Sequence, residues 1–251
     1  PCAAGTYQPS TGQAACLDAD AGHYVDSTGQ SSQTPCETGT YQPSTGQAAC
    51  IDADAGHYVD STGQAAQSAC ASGTYNPDTG SSEASDCLDA DAGHHVPTTG
   101  QSSQTPCATG TYQPNTGQAS CEDSGAGYYV PSAGQSTQTA CAAGTYQPST
   151  GQSSCHDAIA GYYVASTGQS TQTPCVAGTY QPSTGQASCE DASAGYYVPA
   201  NGLPTQIACA IGTYQPNTGQ TTCVDSGAGY YVSNTGQSSQ TPCATGTYQP
   251  S

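Results

Sequence analysis

The sequence predicts a small disulfide-rich β repeat: an elongated rod of ~17-residue hairpin units, paired into 34-residue double repeats, without a conventional hydrophobic core. Three observations predict it: a near-copied segment that recurs along the chain, the cysteine spacing, and a composition too poor in apolar residues to build anything larger.

The recurring segment is Cys36 to Cys50, C-E-T-G-T-Y-Q-P-S-T-G-Q-A-A-C. Gly39-Thr40-Tyr41 is predicted as a short strand, Pro43-Ser44-Thr45-Gly46 as a turn, and Gln47 to Cys50 as the returning strand. Pro presets φ at the first turn position, Ser44 is expected to hydrogen-bond locally, and Gly46 suits the left-handed position that closes a short hairpin loop. The two cysteines then meet at the open end.

Cysteines fall at 2, 16, 36, 50, 70, 87, 107, 121, 141, 155, 175, 189, 209, 223 and 243, with gaps alternating 14 and 20. The period is 34, and such a period marks a repeat array. One gap, Cys70 to Cys87, is 17, three residues longer than its equivalents, and loops are where such insertions are tolerated. Repeats start near 2, 36, 70, 107, 141, 175, 209 and 243, so residues 1–251 are expected to form a single continuous array, a fragment of a longer chain.

Aligning Ala19 to Gln33 with Cys2 to Cys16 superposes Gly, Tyr and Thr-Gly-Gln, which makes the unit 17 residues. Alternate units carry Ala or Ser in place of the first cysteine (Ala19, Ala53, Ala90, Ser124, Ala158, Ala192, Ser226). Gln33, Gln67, Gln104, Gln138, Gln172, Gln206 and Gln240 replace the second. Positions that are cysteine together or lost together are most simply partners. The expected bridges are therefore Cys2–Cys16, Cys36–Cys50, Cys70–Cys87, Cys107–Cys121, Cys141–Cys155, Cys175–Cys189 and Cys209–Cys223, with Cys243 left over. In bridgeless units the Gln amide, donor and acceptor at once, is expected to span the hairpin instead.

Composition sets the class. The chain has no Lys, Arg, Phe, Trp or Met and a net charge of −18. So little apolar area cannot offset the entropy of ordering the chain, and stability falls to the bridges, each contributing about 3 kcal/mol in the chain-entropy model. Bridges at this density imply an oxidising, extracellular location, secreted or at the cell surface. Without basic residues, nucleic acid and anionic membrane surfaces are not expected partners, and this stretch has no transmembrane segment.

The spacing C-x-x-G-T-Y-x-x-x-x-G-x-x-x-C, with the next unit two residues on, resembles the cysteine-rich repeats of the ephrin-receptor-like and tumour-necrosis-factor-receptor-like families. The resemblance covers the whole chain and implies an elongated, disulfide-laddered extracellular architecture. Those families bridge nearly every unit, whereas here alternate units lack the pair.

Candidate chemistry is sparse. Asp18/Asp20, Asp52/Asp54 and Asp89/Asp91 spell D-x-D-x-G, a fragment of a calcium loop without its remaining oxygen ligands or closing Glu. Turn capping is the expected role, and no metal or cofactor site is assigned. His23, His57, His94 and His156 invite an acid–base reading, but His23 and His57 share their slot with Tyr128, Tyr162, Tyr196 and Tyr230, so no catalytic residue is assigned and no enzyme activity expected. His95 replaces the Tyr of every other unit. That inner Tyr, from Tyr7 and Tyr24 through Tyr248, is expected to lie over a neighbouring backbone or disulfide. The residue before it, such as Tyr128, is expected to face outward.

No N-x-S/T sequon occurs, but Ser/Thr-rich sequence with Pro reads as an O-glycosylated stalk. Candidate attachment sites are the loop-tip Thr11, Thr28, Thr45, Thr62, Thr116, Thr150, Thr167, Thr184, Thr218 and Thr235, with Thr34, Thr105, Thr173 and Thr241 in the connectors. The expected function is a structural extracellular filament or rod with covalently attached glycans, able to self-associate into fibres. The alternatives are the stalk of a cell-surface receptor or adhesin, and a calcium-dependent binding module.

Overall fold

The computed structural model describes residues 1–247, so Tyr248 of the inner row lies outside the described residues. The chain divides into two compact bodies, Pro1–Glu122 with Ser132–Thr137, and Asp123–Pro131 with Gln138–Ser251. The same 17-residue module builds each of them.

In the first body, β1 (Thr6–Tyr7) pairs antiparallel with β2 (Leu17–Asp18), Thr6 opposite Asp18 and Tyr7 opposite Leu17. β3 (His23–Tyr24) pairs with β4 (Thr34–Pro35) in the same register. This ladder recurs to Thr241–Pro242, giving fourteen two-stranded sheets and no α-helix among the described residues. Thr and Tyr suit a strand, but a left-handed Gly precedes each pair, as Gly39 at φ 82° precedes Thr40–Tyr41, and each ladder stops at two residues.

The returning strand is Ile51–Asp52, beyond the cysteine, and not Gln47 to Cys50. Residues 46 and 47 have already committed their backbone groups to the preceding module. Gly46 N–H donates to Ala19 C=O at 2.8 Å, and Gln47 C=O accepts from Val25 N–H at 3.0 Å. Backbone groups so paired are lost to a hairpin ladder.

Within each body, four backbone hydrogen bonds recur between successive modules among the described residues. Between the modules at Cys2 and Ala19 they run Gly5 to Val25 C=O (2.7 Å), Gln8 to Gln30 C=O (3.1 Å), Ala19 to Gly5 C=O (2.8 Å) and Gly29 to Cys2 C=O (2.9 Å). In the second body the module at Ala158 repeats them with the module at Cys175: Gly161 to Gln181 C=O (2.8 Å), Val164 to Gln186 C=O (3.0 Å), Cys175 to Gly161 C=O (2.9 Å) and Gly185 to Ala158 C=O (2.8 Å).

Modules reach beyond their immediate neighbours. A Cβ placed on Gly5 would strike the carbonyl of Gly46, two modules on, and one on Gly22 would strike that of Gly63. Asp18 lies against the Gly46 turn and His23 against the Gly63 turn. Bridged modules therefore stack on bridged modules and bridgeless on bridgeless, which is why the 17-residue unit differentiates into a 34-residue period.

Disulfides join Cys2–Cys16, Cys36–Cys50, Cys70–Cys87, Cys107–Cys121, Cys141–Cys155, Cys175–Cys189 and Cys209–Cys223, with Cα separations of 5.7 or 5.8 Å. Cys243 is free. In place of a conventional core there is a thin buried line: the first position of the modules from Cys2 to Cys209 (such as Cys36, Ala53 and Ser124) and, from the second module on, the seventh, Gln in most bridged modules and Val in bridgeless ones (Gln42, Val59). Small first-position side chains let the backbones approach. The buried Gln42 satisfies itself within its turn, donating through Nε2 to Ala49 C=O at 2.7 Å and accepting from Ser44 N–H at 3.1 Å. The local hydrogen bond expected of the Ser44 side chain is thus supplied by Gln42.

The longer third repeat keeps its turn. Gly80 sits at φ 70° and donates to Ala53 C=O at 2.8 Å, matching Gly46. The extra length follows Gly80 as a single 3-10 turn, Ala84–Asp86, in which the Asp86 carboxylate accepts from the N–H groups of Ser82 and Glu83 at 2.9 and 3.0 Å.

Candidate functional site

The chemistry-bearing groups lie in rows set by the module. Thr45 and its equivalents sit immediately before the left-handed Gly of the turn, a place taken by Ala133 and Asn201 in two modules, and all fourteen candidate threonines are exposed. Both exposure and hydrogen bonding distinguish them from the half-buried strand threonines. The strand threonines Thr6, Thr40, Thr74 and Thr111 donate their hydroxyls to the carbonyl three residues back at 2.8 to 2.9 Å. The candidate hydroxyls make no side-chain hydrogen bond among the described residues; in bridged turns such as Thr45 and Thr184 only the carbonyl is used, accepting from Gln Nε2 at 3.0 and 3.1 Å. Thr79 and Thr99 occupy the same slot and are also exposed, although sequence reading passed over them. The Thr-Gly dipeptide was the available signal.

The acidic motif is absorbed by the bridgeless hairpin. Gln33 Oε1 accepts from Asp20 N–H at 2.7 Å while its Nε2 donates to the Asp20 carboxylate at 2.7 Å. Gln67 with Asp54 and Gln104 with Asp91 repeat this clasp. Where the second Asp is missing, the backbone half persists, Gly125 N–H donating to Gln138 Oε1 at 2.6 Å and Ile159 N–H to Gln172 Oε1 at 2.8 Å. The Gln amide thus spans the hairpin where the disulfide is absent. Since Asp20 is held by an amide and Asp18 lies on a glycine turn, calcium is expected to be dispensable. Chelator should leave the melting temperature unchanged, and a rise of several degrees on adding calcium would refute this.

Aromatic residues cover the bridges. Tyr24 borders an open groove with Thr40 and Cys50, Tyr58 one with Cys70 and Cys87, and Tyr163 one with Thr179 and Cys189. Tyr128 and its equivalents do not form a free outward row. The Tyr128 ring is half-buried, its hydroxyl 3.6 Å from where a Cβ on Gly168 would lie, and Tyr162 and Tyr196 meet Gly202 and Gly236 in the same way. Their strand direction is outward, but the turn two modules on closes over them. Tyr230 alone of this row is exposed.

One side chain opposite the inner Tyr varies from repeat to repeat: Leu17, Ile51, Leu88, Glu122, His156, Glu190, Val224. Burial pushes the Tyr180 phenol above its usual range, and the charge of Glu190 opposite adds to this; burial and Glu122 do the same to Tyr112. His156 faces Tyr146 with ring centroids 6.0 Å apart. His23 and His57 place Nδ1 3.4 Å from Ala21 and Ala55 carbonyls, whereas the equivalent atom of His94 is buried without a partner. His95, in the Tyr slot, lies beside the Cys107–Cys121 bridge.

Repeated hairpins, regular bridges and module-to-module backbone bonding define a structural tandem-repeat protein of the disulfide-rich β class. No family model matches the chain, and no curated protein matches it.

Proposed function

We propose that the chain is a structural extracellular filament component whose turns carry O-linked sugar. The observation that carries this reading is the row of loop-tip threonines, exposed and outside the hydrogen-bond network, while the strand threonines are engaged. A glycosyltransferase needs an accessible hydroxyl on an exposed turn, and the array offers one in every described turn except those at Ala133 and Asn201. Seven bridges support the extracellular assignment, as does the likeness in spacing to the extracellular cysteine-rich repeats named above. The filament reading is supported by repetition: within each body the same four backbone bonds recur from module to module, and such an array lengthens by adding modules.

Two-residue ladders leave strand edges unpaired. The chain has no Lys to guard them, and its 18 carboxylates are screened beyond about 8 Å at physiological salt. Sugar on the turns supplies the missing cover. Imaging of native material together with intact-mass analysis tests the reading. Filaments whose chains exceed the polypeptide mass, with the increment mapping to Thr45-type turns or to Thr34-type connectors, are expected. A mass equal to the bare polypeptide less two protons per bridge refutes the sugar coat, and isolated monomers refute the filament.

A further inference from the structure

We propose that the Cys107–Cys121 bridge is the chain's site of thiol–disulfide exchange with an external small thiol, assisted by His95. The His95 Nδ1 lies 3.3 Å from Cys121 Sγ, and one ligand atom each from His95, Cys107 and Cys121 lie within 4.8 Å of one another. The residue bordering the equivalent groove at other bridges that follow a module is Tyr, as Tyr24 by Cys50, Tyr58 by Cys70 and Tyr163 by Cys189, and a phenol cannot become a cation. Because both sulfurs are joined to each other, the cluster is not an open metal site. It is a disulfide with an imidazole at its side.

Cys107 is fully buried and Cys121 half-buried, so an incoming thiolate reaches Cys121 Sγ. Attack along the S–S axis forms a mixed disulfide on Cys121 and breaks its bond to Cys107, which leaves as a thiolate and takes up a proton. With a monothiol the reaction stops there. With a dithiol, the second thiol attacks the mixed disulfide, closes its own ring and releases Cys121 as a thiolate beside the His95 ring, whose protonated form holds it as an ion pair. Two cysteines are reduced and one dithiol is oxidised, two electrons passing from the dithiol to the bridge. A cation beside the sulfurs favours the thiolate products and speeds their departure.

The test is limiting dithiol added to the full chain, rapid alkylation, and peptide mapping of the labelled cysteines. The comparison set is the four other bridges of the same loop length that follow a module with Tyr in the His95 slot: Cys36–Cys50, Cys141–Cys155, Cys175–Cys189 and Cys209–Cys223. Cys107 and Cys121 are expected to label about three- to tenfold ahead of that set, the range that leaving-group dependence allows. His95→Tyr restores the residue found in the equivalent slots, keeps the packing, and should remove the lead. Tyr163→His should transfer it to Cys175 and Cys189. Uniform labelling in the parent chain, a lead that survives His95→Tyr, or no transfer in Tyr163→His would each overturn the proposal. None of these outcomes depends on sugar or on filament formation.

Discussion

Replacing Gly56 with Ala is expected to unfasten the modules around it, at a cost of about 3–5 kcal/mol, while Gly12→Ala costs about 1–2. Both glycines hold a left-handed backbone, φ 86° and 76°, so both variants pay the steric penalty of an L side chain there. Only Gly56 meets anything. Its Cβ would strike the carbonyl of Gly100, with Gly100 C at 2.6 Å and Gln101 C at 3.0 Å, whereas nothing lies within 4 Å of a Cβ on Gly12. The obstruction at Gly56 is backbone, and no rotamer change relieves it. To accept the methyl, the module two steps on must move. That movement breaks Gly56 N–H to Asn76 C=O (2.7 Å) and Cys70 N–H to Gly56 C=O (2.9 Å). In a repeat array the loss is regional, so hydrogen exchange is the better readout than a single melting temperature. Amides of Gly56 and Cys70 should lose protection in Gly56→Ala, with distant modules unaffected. Equal effects from the two substitutions would show that conformation alone, and not the stacking of alternate modules, makes the glycine necessary.

Removing one disulfide is the second large effect. Converting Cys36 and Cys50 to Ala should cost about 3 kcal/mol, the entropy released to a loop of this size. Converting Cys36 to Ala and Cys50 to Gln should cost less by about 1 kcal/mol, because the amide can accept from the Glu37 N–H as Gln33 accepts from Asp20. The pair of variants separates two functions of the bridge. One is to restrict the unfolded chain, which the amide cannot do. The other is to close the hairpin in the folded state, which the amide does in alternate modules. Protection of the Ala53 N–H, which donates to Gly39 C=O at 2.8 Å beside the bridge, reports the difference. Identical protection in the two double variants would mean that the Gln clasp is incidental.

These expectations rest on features of unequal visibility in the sequence. The period of 34, the hidden unit of 17 and the left-handed Gly of the turn follow from residue identity, since chemistry and spacing are local properties. The clasp of Gln33 was likewise legible, because Gln stands where a cysteine would close the hairpin. The buried Gln42 was not read, although the alternation of Gln and Val after Tyr was present to be noticed. Nor could the loop-tip Thr hydroxyls be separated from that of Thr40 without the partial burial and the hydrogen bond that mark only the latter.

By itself the sequence determined the class: small modules, repeated, held by bridges in one half of the period and by Gln amides in the other. Tertiary structure alone decided three things. The return strand lies at Ile51–Asp52 because Gly46 and Gln47 bond to the previous module, a competition between modules that no single hairpin contains. The Tyr128 ring is covered because the turn at Gly168 comes to rest on it. His95 meets Cys121 because residues 26 apart in the chain are brought together by the modules between them. In each case local sequence sets what a backbone or side chain can do, and the packing of modules along the chain determines which partner is within reach.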